Sequence, residues 1–475
     1  MTSWDEAIAA TTFEFIESME QKGFRADERT LTGTVGEGAD AVRVEILVTD
    51  SFPFAPPAAW PPSDFPRSWH RELSGAMCLY SADDRQNLPW LDVDDFLALV
   101  ERWIYESKAG WQQDFPDLDL ERYFPQVDAP LIVYGDLDRL GSVVQFRTQG
   151  DVVRIKGAHT LPKKKSAAKD RTFGYIIDIG APEVPPLNWE DLKASVPEED
   201  AALVESSVEK GRLTRLVVRY ARDGVGAAVV FAIRKNQDGA VALSALTSAG
   251  ETHSTLTLRA GVHAQTLADA RVAVVGVGAI GSFLCDLLAR SGVGRITVYD
   301  PDIVRPGNLI RHLADAASEG LPKTEAVKKA LESRPFNVTD VSSVPTGMPE
   351  LKELATMFAE HDLVIDASAS GDVTPALIAA AKSGGHHLLS VCLQEEGDVV
   401  RVDVAPPLQG EPLKATQFGS LPDRESLRFE AGCGDPVSQT PAFAVYEAAA
   451  LAARHAVGLL TGLPVSNAGT IRDYR

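Results

Sequence analysis

Gly276-Val277-Gly278-Ala279-Ile280-Gly281 follows directly on the apolar run Val272 to Val275 and opens a helical stretch. In that setting glycines let the backbone approach a phosphate, while the following helix offers free amides and the positive end of its dipole. Asp300 ends the next apolar run, about twenty residues on, where a carboxylate can accept the hydroxyls of a ribose. So far the pattern describes an NAD-dependent oxidoreductase equally well. The stretch Pro301 to His312, with Asp302, Asn308 and Arg311, and then Lys323, separates the two readings. Hydride transfer needs no extra cations at the phosphates, whereas breaking ATP between its α- and β-phosphates needs Arg and Lys to stabilise developing negative charge. The chemistry expected at Gly276, Gly278, Gly281, Asp300, Asp302, Asn308, Arg311 and Lys323 is therefore adenylation with ATP.

Taken in order, D-x-D, N-x-x-R and L-P-K resemble the adenylation domains of ubiquitin-activating enzymes and of the ThiF and MoeB sulfur-carrier activators. The resemblance implies that Asp300 holds the ribose, that Asp302 and Asn308 line the site, and that Arg311 and Lys323 contact the phosphates. It also implies magnesium. The family carries an aspartate shortly after the strand that here reads Asp362 to Asp366, and this chain has Ala369 there, so the candidate ligand is Asp366 or Asp372, or the metal is held differently. A homodimer is implied too, completed by an arginine of the second subunit, for which Arg259 is the candidate.

Four cysteines, Cys78, Cys285, Cys392 and Cys433, lie far apart with no C-x-x-C pair, so neither a disulfide framework nor a zinc site is expected. A thiolate of lowered pKa can capture an acyl-adenylate as a thioester. Cys433 lies in the glycine-flanked run Glu430 to Pro436, ahead of a long helix, where bacterial relatives of these activators place a catalytic cysteine. Cys392 continues a strand and Cys285 falls within the helix after the glycine loop, so both are expected to be core thiols. Cys78 has another neighbourhood: Phe52-Pro53-Phe54-Ala55-Pro56-Pro57, then His70, Gly75-Ala76-Met77-Cys78-Leu79 and Trp90. That series resembles ubiquitin-conjugating enzymes and implies that Cys78 accepts an acyl group. It departs from them at Arg71 and Glu72, where the asparagine of their H-P-N element is missing. Together the two resemblances match the conjugating-activating fusions of CBASS antiviral operons, which implies ligation of a protein C-terminus to a target amine. That protein would be a cGAS-like nucleotidyltransferase or a ubiquitin-like protein. The alternative is a sulfur-carrier activator whose N-terminal part only binds its partner.

The elements that must position these residues fall into three regions. Residues 1–127 read as helix, sheet, cysteine loop and helix: Ile8, Thr12, Phe15, Ile16 and Met19 share a helical face, Val42 to Val48 alternates as a strand, and a second helix runs from about Asp92 to Glu106. Residues 128–260 read as β-rich, with strands at Leu216 to Tyr220 and Ala227 to Ile233 and an acidic helix near Glu198 to Glu209. Residues 261–475 alternate apolar strands, at Val272, Ile296, Leu363 and Leu388, with amphipathic helices, predicting a Rossmann-like doubly wound parallel sheet. The whole is an α/β chain with an α+β ubiquitin-conjugating-like start. Sixty-seven acidic against forty-six basic side chains repel nucleic acid, and the run Lys163 to Lys165 with Lys169 lacks interleaved aromatics. The acidic N-terminus is unlike a signal peptide, no apolar run approaches the ~20 residues of a membrane span, and a cytoplasmic location is expected.

Overall fold

Strand β12, Arg271–Val275, explains the layout of the C-terminal half. Val272 and Val274 face one hydrophobic cluster and Ala273 and Val275 face another, so the strand must be covered by helices on both sides. The computed structural model describes every residue except 1–3, 37, 39–40, 81–87, 113–117, 159, 164–170, 335–338, 347–350, 419–426 and 430–436. Lys164, Lys165, Lys169 and Cys433 lie outside the described residues. The chain forms two compact units, Met1–Gly250 and Glu251–Arg475.

The first unit starts with helix α1, Trp4–Gln21, whose Thr12, Phe15 and Met19 are buried. A four-stranded antiparallel meander follows, made of β1 (Arg25–Asp27), β2 (Thr30–Val35), β3 (Val42–Leu47) and β4 (Ala58–Trp60). Strict alternation in β3 buries Val42, Val44 and Ile46 and exposes Arg43, Glu45 and Leu47. Helix α2, Val93–Ala109, starts where the Asp92 carboxylate accepts the amides of Asp94 and Asp95 and stops at Gly110 in the left-handed region. Its Phe96, Val100 and Trp103 meet Phe15, Met19 and Ile46 in one core.

The same unit contains a closed seven-stranded barrel in the order β10-β11-β5-β7-β6-β8-β9. Its members are β5 (Gln126–Tyr134), β6 (Val143–Gln149), β7 (Val152–Gly157), β8 (Arg171–Asp178), β9 (Arg215–Arg222), β10 (Val225–Lys235) and β11 (Val241–Gly250). Closure leaves no unpaired edge. Along β9, Val217 points inward to Phe146, Val230 and Leu246, while Leu216, Val218 and Tyr220 point outward. The outward side chains are covered by α3 (Trp189–Lys193) and by the acidic helix α4 (Glu198–Glu209), whose Val204 is buried among them. Trp69, from the segment before the cysteine loop, is buried against Tyr123 and Tyr220 with the Arg222 guanidinium 4.5 Å above its ring. That contact welds the meander to the barrel.

In the second unit α5 (His253–Leu258) and α6 (Ala264–Leu267) precede β12, and the sheet order is β14-β13-β12-β15-β16-β17-β18. The strands are β13 (Arg295–Tyr299), β14 (Asp340–Val344), β15 (Leu363–Asp366), β16 (Leu388–Gln394), β17 (Val399–Ala405) and β18 (Gly469–Asp473). The expected parallel sheet is found for the first five in that order, whereas β17 and β18 are antiparallel additions. The helices are α7 (Ala279–Arg290), α8 (Lys323–Glu332), α9 (Leu351–Glu360), α10 (Val373–Gly384) and α11 (Ala442–Thr461). Helix α11 is long and apolar enough to cross a membrane by length and composition, but Ala444, Ala448, Ala449 and Ala452 are buried against the sheet, as in a core helix.

Within the first unit the Tyr220 hydroxyl accepts the Leu120 amide at 3.3 Å and donates to the Leu118 carbonyl, holding the entry to the barrel. Tyr220→Phe strips both partners at a buried site, and should lower the unfolding free energy by about 1–3 kcal/mol. Urea titration against wild type checks this; an unchanged midpoint contradicts it.

Candidate active site of the second unit

Strand β12 has β13 and β14 on one side and β15 and β16 on the other, so the chain order reverses between β12 and β15. Ligands of open α/β sheets bind beyond the strand carboxyl ends at such a switch point. The glycine loop emerges there. Gly276, at φ +83°, lies so close to the turn after β15 that a Cβ would sit 2.5 Å from the Ser368 Cα, and a Cβ on Gly281 would lie 1.9 Å from the Gly276 carbonyl oxygen. Above Gly278, the N-cap of α7, there is open space within 4 Å. Two glycines close the loop and the third leaves its backbone accessible.

Both backbone polar groups of Val277 are anchored. Its amide donates to Asp300 Oδ2 at 2.9 Å, and Asp300 Oδ1 accepts the Asp302 amide at 2.9 Å. Its carbonyl lies 2.8 Å from His312 Nε2. Because the Ala314 amide donates to His312 Nδ1 at 3.0 Å, that nitrogen is an acceptor, and Nε2 must carry the hydrogen that reaches Val277. His312 is thus a buried neutral imidazole of one tautomer. Burial, and then the Lys323 charge, push its pKa below the ordinary histidine value, while the Val277 bond and Asp300 oppose them. Sequence reasoning had no role for His312; the signal available was a histidine next to Arg311, followed by apolar Leu313 and Ala314, which argues for a buried ring.

A cavity of about 150 Å³ is lined by Gly278, Ala279, Asn308, Arg311, His312 and Lys323. Asn308 and Lys323, candidates from type and spacing, also shape the chain around it. The Asn308 Oδ1 accepts the Arg305 amide at 2.9 Å and closes the turn Pro306–Arg311. Lys323 begins α8, and its ammonium reaches Asp302 Oδ2 at 2.7 Å with its stem buried and Asp302 largely exposed. Arg311 donates to the Thr440 carbonyl at 2.9 Å and to Ser438 Oγ at 3.4 Å, just downstream in sequence of Cys433. Asp300 uses one site on each oxygen and retains others of its roughly four. With the loop backbone open at Gly278 and two cations at the cavity, the arrangement can hold a polyanion and stabilise charge growing on it.

Asp366 is fully buried at the end of β15 and accepts Ser368 N at 3.0 Å, Ser368 Oγ at 2.6 Å and the Thr374 hydroxyl. Its oxygens are committed to hydroxyl and amide donors, which does not fit an open magnesium ligand. Asp372 is exposed at the N-terminus of α10. Among the described residues no three His, Cys, Asp or Glu side chains gather into a metal cluster. Ala369, at φ +50°, occupies the left-handed region. Arg259 is exposed after α5.

The cysteines separate as follows. Cys285 on α7 is completely buried, and burial pushes its thiol up to about 12. Cys392 on β16 is half-buried rather than fully buried, and burial again raises its pKa. In the first unit Cys78 is half-buried, its amide donating to the His70 carbonyl at 2.9 Å. The Trp103 indole donates to the same carbonyl at 2.9 Å, and Met77 N to Ala59 O at 2.7 Å, so α2 and β4 both brace the cysteine loop. Trp90 Nε1 holds the Pro53 carbonyl at 2.8 Å, which connects the proline-rich turn to the start of α2.

The ThiF family model matches residues 253–474. The chain is 30% identical over 202 residues to molybdopterin-synthase adenylyltransferase of Escherichia coli, a match that covers 37% of this chain and 78% of that protein. The chain belongs to the ThiF family. It is also 31% identical over 121 residues to the ATP-dependent ubiquitin transferase-like protein Cap2 of Vibrio cholerae, covering 25% of this chain and 20% of that one. It spans 37% and 22% of the length of two other curated relatives. A crystal structure of E. coli MccB with ATP aligns over 43% of this chain and 60% of that chain, at 21% identity and a TM-score of 0.34. The second unit, which carries the family match, is a ThiF-type α/β adenylation domain.

The neutrality of His312 gives a pH prediction for this ThiF-type unit. Its folded pKa is lowered, so its contribution to stability is complete above the unfolded value near 6.5 and is lost as pH falls through and below it. His455, also lowered mainly by burial, behaves the same way in wild type and variant and cancels in their comparison. The advantage of wild type over His312→Gln in thermal unfolding should shrink between pH 7.5 and pH 5.5. A constant difference contradicts the assignment.

Proposed function

We propose that the second unit adenylates a protein's C-terminal carboxylate with ATP, and that the acyl group then passes through thioesters to a target amine. The observation that carries this reading is the convergence of Gly278, Asn308, Arg311 and Lys323 on one cavity beside the switch point. In this reading Asp300 accepts ribose hydroxyls, Asp302 and Asn308 line the pocket, and the cations Arg311 and Lys323 meet the phosphates. A carboxylate oxygen attacks the α-phosphorus and the bond to the β-phosphate oxygen breaks, releasing pyrophosphate and leaving an acyl-adenylate. Positive charge at the phosphates lowers that barrier most if it is already in place. Magnesium accompanies ATP in the proposal, with no protein ligand assigned to it.

Cys433 is proposed as the thiolate that displaces AMP, and Cys78 as the thiol that takes the acyl group from it by exchange of one thioester for another. The amine of a target protein then attacks the Cys78 thioester and releases the thiol. Each exchange is near thermoneutral, so the drive comes from ATP. Residues 1–127 act in this scheme as the conjugating part, 128–260 as the β-rich connector and 261–475 as the activating part, in a cytoplasmic homodimer. Support comes from what the relatives' names state, an adenylyltransferase and an ATP-dependent ubiquitin transferase-like protein. The activated partner is proposed to be a cGAS-like nucleotidyltransferase or a ubiquitin-like protein.

Pyrophosphate exchange into ATP, measured with the partner protein, should fall by about 10²-fold or more in Arg311→Ala and in Lys323→Ala. Unchanged exchange in both, or binding of nicotinamide dinucleotides instead, sinks the adenylation reading. For the later steps, a reductant-sensitive adduct should persist in Cys78→Ala and vanish in Cys433→Ala. The reverse pattern overturns the order, and full product formation by Cys78→Ala returns the chain to the sulfur-carrier type of activator.

A further inference from the structure

The barrel of the first unit encloses a cavity of about 190 Å³. Ile132, Phe146 and Leu246 supply hydrocarbon walls, Thr148 and Thr172 supply hydroxyls, and Arg215 supplies a guanidinium. Arg215 and Arg219 lie on the same inward face of β9 as Val217, two residues to either side. Their treatment differs. Arg219 is paired with Asp138 and Asp178, whereas Arg215 has no carboxylate partner among the described residues, and its guanidinium donates to the Thr214 carbonyl at 3.0 Å. Burial without a counter-charge pushes its pKa down. A half-buried cation of this kind is costly unless something anionic reaches it.

The wall of the barrel is modified where the cavity lies. Between the β11–β5 pairs Leu246↔Val127 and Ser248↔Ile132, the segment Asp128–Leu131 stands against Thr247 alone, so β5 bows away from its neighbour. Pro130, in that bow, has no amide to donate, is exposed to solvent and lines the cavity together with Ala129. On the opposite side Gly174 makes room: a Cβ there would lie 2.6 Å from the Phe146 ring and 3.1 Å from the Arg215 Cβ. An opening, an apolar chamber and one planar fork of donors are all present.

We propose that this cavity binds a monocarboxylate with a branched apolar body, the carboxylate on Arg215 and the hydrocarbon between Phe146 and Leu246. A guanidinium matches a carboxylate in a bidentate pair, and a single cation with two hydroxyls falls short of the donors that a phosphate dianion needs. The volume is of the order of the ~150 Å³ of apolar cavities that take up a six-carbon ring. Two sources share this chemistry, a free small acid and the C-terminal residue of a protein. The inference is independent of the adenylation reading, which concerns the other unit.

The test titrates the full-length chain with 4-methylpentanoate and with 4-methylpentanamide by ligand-observed NMR. The acid should bind saturably and the amide at least about tenfold more weakly, the loss of one charge-assisted pair. Arg215→Met, close in volume, should weaken the acid by at least about tenfold and leave the amide unchanged. Should that variant not fold, Arg215→Lys, which keeps the charge and loses the fork, should show a smaller loss. A peptide ending in leucine with a free carboxylate distinguishes the sources: binding that amidation abolishes names a chain terminus, and exclusion of the peptide while the acid binds names a small molecule. No saturable binding of the acid, equal binding of acid and amide, or an Arg215→Met chain that binds the acid like wild type overturns the proposal.

Discussion

Val277 is held at both of its backbone polar groups, by the Asp300 carboxylate on one side and the His312 ring on the other, and the rest of the site takes its position from that clamp. The residue itself is completely buried, so neither group can turn to water instead. With the backbone fixed there, Gly276 can rest against Ser368 and Gly281 against the Gly276 carbonyl, contacts too close for any side chain. Asp300 and His312 come from the segment that follows β13, and Ser368 from the turn that follows β15, all outside the loop in sequence. A ligand therefore meets a loop whose shape is set in advance by the sheet, which is how a protein avoids reorganisation at the moment of binding.

This explains which parts were legible before the structure. Val272–Val275 and Leu363–Ile365 are continuous apolar runs because each strand is covered on both faces, and such runs can be read directly. Strand β14 was missed because its burial falls mainly on Val341, at the edge of the sheet, so no run marks it. The β-rich character of the middle region showed in β9 and β10, but its closure did not, since closure depends on β5 pairing in parallel with β11 from more than a hundred residues away. At the site, Asn308, Arg311 and Lys323 were visible by type and spacing. His312 was not, because its role lies in the position of one distant carbonyl. Asp366 was visible as a carboxylate, whereas the hydroxyls of Ser368 and Thr374 that occupy it became apparent only in three dimensions.

Satisfaction of hydrogen bonds separates residues that hold the fold from residues available to a ligand. Asp366 is buried with donors on both oxygens, and a carboxylate in that state organises its turn and has little left to offer. Lys323 and Arg311 are different. Among the described residues Lys323 has one partner, Asp302, for three donors, and Asp302 is mostly exposed, so the pair gains little in water and can yield to a phosphate. Arg311 donates from one nitrogen to Thr440 and Ser438, which orients the fork without neutralising it.

The same criterion, applied to one strand of the barrel, distinguishes two arginines of identical chemistry. Arg219 has two carboxylates within reach and needs nothing further, while Arg215 faces hydrocarbon, two hydroxyls and an opening. Chemical type alone would treat them alike, and position on the strand places both on the inward face. What differs is the charge that surrounds each among the described residues, and a half-buried cation left uncompensated is a stability cost that a packed apolar residue at the same place would avoid. Such a cost is retained where the group meets something the isolated fold does not contain.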